Sequence, residues 1–445
     1  MKNFLILFLI IVIFASCNSG ERKDNTIKLQ KGEVTLEKAD VDSLITYYYY
    51  IPTDFDTSKH YPAIYFIDAH ARGKLPVEKY KSLAEKFGYI IIGSNNAKNE
   101  LPYENQLNIY RILKNDVEKK FHTQKMRFYL CGFSGGSRVA SNIAINTGEI
   151  PAVIGCGAGF PQINKPLQKS FDYLGMVGNL DFNLGEMVYL NKNLKSINFP
   201  NELVIFDGKH DWPPDSVMNI GFVWFETSAI KKYTLPKTDD KIKQIIKELN
   251  SFVNSQKNNY RKYLAAITSI TFINDISQDN QFKTIADSLE KLDEVKSAVK
   301  QWEKNINLEI AEQQQYVKNL GEKNLAWWRN EIKTLQSRND SKSKRLLNYI
   351  SLLFFMNIDG MLNQNAISPA ENALPLYKLA DPDNPDVYYL YACLYAMQND
   401  AVQAIENLDS SIAKGFIDKE KLVSDQRLNN IRNNPGFSEL LEKLQ

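Results

Sequence analysis

Three residues far apart in the chain have the types needed for hydroxyl chemistry. They are Ser134 in Gly132-Phe133-Ser134-Gly135-Gly136, Asp181 in Gly178-Asn179-Leu180-Asp181, and His210 in Gly208-Lys209-His210-Asp211-Trp212-Pro213. A Ser hydroxyl is a poor nucleophile until a base takes its proton, and imidazole is the usual base near neutral pH. A carboxylate behind the imidazole fixes its tautomer and stabilises the imidazolium. Such a set attacks an acyl carbon and splits an ester or amide. The chain has four His, so the choice of base is short. His60 and His122 stand just before strand-like runs, at what should be the wrong end of a sheet. His70 ends a strand-like run but lies ahead of Ser134, and His210 follows the last such run. Asp181 falls in the loop after the preceding strand. Asp207 and Asp211 compete by nearness to His210 but read as turn residues, and Asp172 begins its strand.

The elements that must position these groups can be read from the pattern of apolar residues. Strand signals fall at Leu44 to Ile51, Pro62 to Ile67, Tyr89 to Gly93, Arg127 to Phe133, Ala152 to Gly155, Phe171 to Val177 and Leu203 to Phe206. Helix signals fall between them, at Val77 to Phe87, Tyr103 to Phe121, Ser137 to Asn146 and Glu186 to Leu194. Alternating strands and helices predict a mainly parallel sheet covered on both faces. Ligands in such sheets bind beyond the carboxyl ends of the strands. Ser134, Asp181 and His210 each come just after a predicted strand.

A strand that turns into a helix through Gly-x-Ser-x-Gly resembles the nucleophile elbow of α/β-hydrolases. The turn strains the Ser backbone and lifts its hydroxyl above the sheet, and the new helix aims its amide end at the charge that develops there. Together with Phe66-Ile67-Asp68-Ala69-His70-Ala71-Arg72-Gly73 and the Asp181 and His210 stretches, the chain is similar to α/β-hydrolases of the esterase and polyhydroxyalkanoate-depolymerase type. It is also similar to the catalytic domains of prolyl-oligopeptidase-type peptidases and carbohydrate esterases. The resemblance covers about half the chain, from Leu44 to Phe225. It implies the chain order Ser, acid, His, which His210 alone among the four satisfies. It also implies an oxyanion hole made by the Gly135 amide and that of either His70 or Ala71, although the loop departs from the commoner His-Gly-Gly form. Phe133, the Gly159-Phe160 stretch and Trp212 are expected to wall a pocket for an acyl, aromatic or sugar group. His70 has a second reading, a strand-end residue with a structural hydrogen bond.

Composition narrows the rest. A formal net charge of +2 with 24% charged residues offers no nucleic-acid surface. No Walker loop, His-Glu-x-x-His or EF-hand loop is present, and neither a metal nor a cofactor is expected. Residues 1–17 read as a lipoprotein signal: Lys2, an apolar run from Phe4 to Phe14, then Ala15-Ser16-Cys17. The resemblance to a bacterial lipobox implies lipidation of Cys17 and an extracytoplasmic, membrane-tethered protein at the outer membrane or cell surface. Residues 18–33 would be the tether. Cys131, Cys156 and Cys393 remain, and they read as buried thiols and not as a disulfide or zinc framework.

Residues 34–232 thus make the expected hydrolase domain, and the character changes after Tyr233. Residues 233–343 read as helical, with one long amphipathic helix running from Ile285 through Leu289, Leu292, Val295, Val299 and Trp302 to Ile306. Residues 344–445 pair into helices, and Tyr388 to Gly415 resembles a tetratricopeptide repeat. About one and a half repeats are visible, fewer than a free-standing solenoid needs. The segment should pack on other parts of the chain or offer a protein partner a groove. The expectation is an α/β hydrolase followed by an all-α, TPR-like region, acting on a small or glycan-linked ester. A serine peptidase of the same fold and a non-catalytic lipoprotein binding glycan or protein are the alternatives.

Overall fold

The computed structural model describes residues 29–99, 101–163, 166–168 and 171–444. The signal-like segment, Cys17 and the tether up to residue 28 lie outside the described residues. Two short antiparallel strands, β1 (Thr35–Lys38) and β2 (Thr46–Tyr50), open the chain. Then follow β3 (Tyr61–Ile67), α1 (Lys74–Phe87), β4 (Ile90–Ser94), α2 (Tyr103–Phe121), β5 (Thr123–Phe133) and α3 (Gly135–Thr147). β6 (Ala152–Cys156), β7 (Asp172–Gly178), α4 (Leu184–Ser196), β8 (Asn201–Phe206) and α5 (Asp215–Lys231) complete the layer.

The strands form one sheet in the order β1-β2-β4-β3-β5-β6-β7-β8, parallel from β4 through β8. Successive side chains of a strand point to opposite faces, so a strand covered on both sides is apolar throughout. β3 shows this: Ile64 and Phe66 enter one core, and Ala63, Tyr65 and Ile67 enter the other. This is the α/β-hydrolase fold. β1, the polar edge strand Thr-Leu-Glu-Lys, has no expectation in the sequence reading because it buries too little to show a pattern.

The rest of the described chain is helical: α6 (Asp239–Asn254), α7 (Asn259–Ile273), α8 (Gln281–Glu290), α9 (Asp293–Glu322), α10 (Leu325–Arg338), α11 (Ser341–Asn363), α12 (Ile367–Ala380), α13 (Pro385–Met397) and α14 (Ala401–Ala413), with shorter helices after it. Side chains of Thr238, Asn258, Asn324, Asp340, Asn384 and Asp400 cap six of these starts, satisfying amides that have no partner within the helix. The expected helix from Ile285 to Ile306 is two helices. The chain is extended at Leu292 (φ −70°, ψ 130°), and Asp293 and Glu294 begin α9 where negative charge favours a helix start. Ile245, Leu249, Phe272 and Phe282 pack in the same core as α5 and the sheet, so the change of composition at Tyr233 is not a break in packing. A further core, from Tyr316 to Leu440, holds the later helices together. Among the described residues no helix is long and apolar enough to cross a membrane.

Candidate active site

β5 ends at Phe133 and α3 begins at Gly135, leaving Ser134 alone to make the turn, with φ 53° and ψ −122°. A non-glycine residue there is strained and must be held by its surroundings. The Ser134 amide donates to the Cys156 carbonyl at 2.8 Å, tying the turn to β6. The flanking glycines are required by contact: a Cβ at Gly132 would sit 2.2 Å from the Gly136 carbonyl oxygen, and one at Gly136 2.0 Å from that of Ile67.

Loops after β5, β7 and β8 meet at the carboxyl rim of the sheet. Ser134 Oγ lies 2.9 Å from His210 Nε2, and His210 Nδ1 lies 2.9 Å from each carboxylate oxygen of Asp181. A carboxylate only accepts, so Nδ1 carries the proton and Nε2 is left to accept from the Ser134 hydroxyl. Asp181 is buried, and the His210 side chain keeps 21% of its exposure. Asp181 Oδ1 also accepts from the Asn183 amide at 2.8 Å, and Asn183 Nδ2 donates to the Gly157 carbonyl at 2.7 Å. The rings of Phe133 and Phe182 lie 4.8 Å and 4.3 Å from that of His210 and confine it. The arrangement can move a proton from the hydroxyl to the imidazole while the carboxylate balances the charge.

The other candidates go elsewhere. His60 and His122 meet edge to face, 6.0 Å apart, at the opposite rim, where each precedes its strand. Asp207 pairs with Lys257 at 2.7 Å, Asp172 with Lys232 at 2.9 Å, and Asp211 accepts from the Trp212 amide. Cys131, Cys156 and Cys393 are free and buried.

The turn after β3 is organised by Asp68, which is fully buried. It accepts two bonds from the Arg72 guanidinium, at 2.8 and 3.0 Å, one from the Trp212 indole at 3.0 Å, and one from the His70 amide at 3.0 Å. Burial alone would raise the Asp68 carboxyl, but Arg72 and these donors hold it below its ordinary value. This bears on the expected oxyanion donors. The amides of His70 and Ala71 are engaged by the Asp68 carboxylate and carbonyl respectively, whereas among the described residues those of Ala69 and Arg72 have no acceptor. Gly135 opens α3, where the amide has no acceptor within the helix. The His70 side chain is exposed.

The expected pocket walls need correction. Phe160 is buried against Phe171, Tyr173 and Phe199, where its aromatic ring joins a core. Gly159 turns the same way, its amide donating to Glu186 at 2.8 Å. Trp212 is buried and packs on Phe66, Tyr80 and Phe133, backing the site from within. Phe133 lies between Trp212 and His210. A separate apolar cavity of about 350 Å³ lies between β8, α7 and α9, lined by Leu203, Ile205, Tyr260, Leu264 and Trp302; no residue of the Ser134 site lines it.

Asp386 stands in the first turn of α13. Burial pushes the Asp386 carboxyl up, against the pull of Lys421, His70 and Arg72. Among the described residues no group of three or more His, Cys, Asp or Glu is arranged to hold a metal ion.

No family model and no curated protein matches the chain. Solved structures similar to its first half include an S-formylglutathione hydrolase from Staphylococcus aureus, with 15% identity and a TM-score of 0.36, covering 43% of this chain and 97% of that one. A ferulic acid esterase is 17% identical over 44% of this chain and 98% of its own, with a TM-score of 0.36. A putative dipeptidyl aminopeptidase IV from Bacteroides ovatus is 15% identical over 44% of this chain and 35% of its own, again at 0.36. The fold assignment stands on the strand order and the turn at Ser134.

Proposed function

We propose that the protein is a serine hydrolase that cleaves a carboxylic ester. The observation that carries this reading is the continuous relay from Ser134 Oγ through His210 to Asp181, with 2.9 Å at each step, on the open rim of the sheet. In this reading Ser134 attacks the acyl carbon as His210 Nε2 takes its proton. The Gly135 amide and the turn after β3 receive the developing oxyanion, helped by the positive end of α3. His210 then protonates the leaving alcohol, and the same imidazole activates the water that releases the acyl group.

A fluorophosphonate probe and a panel of acyl esters, acetylated sugars and feruloyl esters test the proposal. The expected result is labelling at Ser134 and turnover of at least one ester class, both lost in Ser134→Ala. Folded wild-type protein that takes no label would overturn it. Turnover of short peptide amides in preference to esters would move the assignment to a peptidase. Cys17 is read as the site of a lipid anchor, and Cys17→Ser should release the protein from membranes.

A further inference from the structure

The loop that holds Asp181 is gripped from two sides. Its amides are satisfied by the sheet half: Asn179 donates to the Phe206 carbonyl at 2.7 Å and Leu180 to that of Gly208 at 2.8 Å. Its carbonyls face the helical half. Arg345 Nη1, on α11, donates to the Asn179 carbonyl at 2.7 Å. Asn348 Nδ2, one turn further along α11, donates to the Leu180 carbonyl at 3.2 Å. Gln313 Nε2, on α9, donates to the Phe182 carbonyl at 2.9 Å. The Asp181 carbonyl is taken within its own turn by the Leu184 amide at 3.0 Å. Two helices distant in sequence thus hold the residues on both sides of the acid.

Arg345 is the charged member of this set. It and Glu309 are buried, 5% and 0% exposed, and form a two-point ion pair at 2.7 and 2.6 Å that fixes the plane of the guanidinium. A buried ion pair is weak evidence for stability, since a well-packed apolar pair often does as well. This one leaves a third guanidinium nitrogen aimed at the acid loop. The Phe182 ring, next to the Gln313-held carbonyl, rests on His210, so displacement of the loop would reach the imidazole by two routes.

We propose that Arg345, locked by Glu309 and aided by Gln313 and Asn348, is a positioning residue that sets the Asp181 loop, so that the helical half completes the active site. This rests on the reading of Ser134, His210 and Asp181 as a catalytic triad. Arg345 touches neither substrate nor reacting atoms; it acts through the loop.

The test is the rate of fluorophosphonate labelling of the full-length chain. The double variant Glu309→Leu/Arg345→Met removes both buried charges together and leaves the Asn179 carbonyl without its donor. The expected result is labelling slowed by about a hundredfold, the effect of a misplaced catalytic group, with every molecule still labelled in the end and the unfolding midpoint kept. Gln313→Ala/Asn348→Ala keeps the ion pair and should slow labelling about tenfold. Arg345→Lys should recover part of the rate, because an ammonium can reach one partner but lacks the planar fork. Lys192→Ala breaks the exposed Lys192–Glu303 pair, which also joins α4 to α9 but lies off the loop, and should leave the rate unchanged. Labelling at the wild-type rate in both double variants would overturn the inference and leave the hydrolase reading intact, as would a smaller labelled fraction at the wild-type rate. A wild-type chain that takes no label would overturn both.

Discussion

The two loops that flank His210 are secured in different ways. The turn after β3 is tied by its own half of the chain: Asp68 collects Arg72, Trp212 and the His70 amide, and Trp212 belongs to the same loop as His210. The loop after β7 relies on the other half, through Arg345, Gln313 and Asn348. In the proposed mechanism the nucleophile and oxyanion side would be held locally, and the acid side would depend on the helices α9 and α11.

The contrast can be broken at several depths. The largest effect belongs to the relay itself: Ser134→Ala or His210→Ala should cut ester turnover by roughly four to six orders of magnitude with the fold unchanged, checked by steady-state kinetics and circular dichroism. Next come the variants of the Arg345 network, where labelling rates should fall by about tenfold to a hundredfold. Gly157 sharpens the comparison at the seam. It has φ 66°, and a Cβ there would lie 2.9 Å from the Phe133 ring, 3.2 Å from Asp181 Oδ2 and 3.3 Å from His210 Cε1. Gly157→Ala should destabilise by about 1 to 2 kcal/mol from backbone strain alone and slow turnover by pressing on both partners, read by urea unfolding and kinetics.

The smallest effect is one of pH. The Asp68 carboxyl is held low in the folded chain, so its contribution is present above the unfolded carboxylate value of about 3.9 and is lost as pH falls through the folded one. Unfolding midpoints measured from neutral to acid should fall for wild type. Those of Asp68→Asn should start lower and change less, so that the two curves converge in acid. Parallel curves would mean that Asp68 is not held as described.

Much of the candidate site was legible because the proposed chemistry needs rare residues at fixed points. With few His to choose from and strands marked by Ile, Val, Phe and Tyr, the loops after β5, β7 and β8 could be found from pattern. What escaped was set by packing. Phe160 is an aromatic residue on a loop next to the site, and nothing in its neighbours says that it turns toward Phe171 and Tyr173. The end of α8 carries no Gly or Pro, so the apolar spacing ran through Leu292 unbroken. Asp68 had a signal, a carboxylate closing an apolar strand with Arg72 one helical turn later, and such a residue needs a buried partner. Arg345, Gln313 and Asn348 had none. Each sits on a polar-looking helix face, and their role depends on where α9 and α11 dock against a loop more than a hundred residues earlier.

The central claim is tested most directly by treating the full-length protein with a fluorophosphonate and locating the adduct by mass spectrometry. The account predicts a single modified residue, Ser134, with no adduct in His210→Ala on the same timescale. A folded chain left unmodified, or modified at another serine and indifferent to the loss of His210, would contradict it.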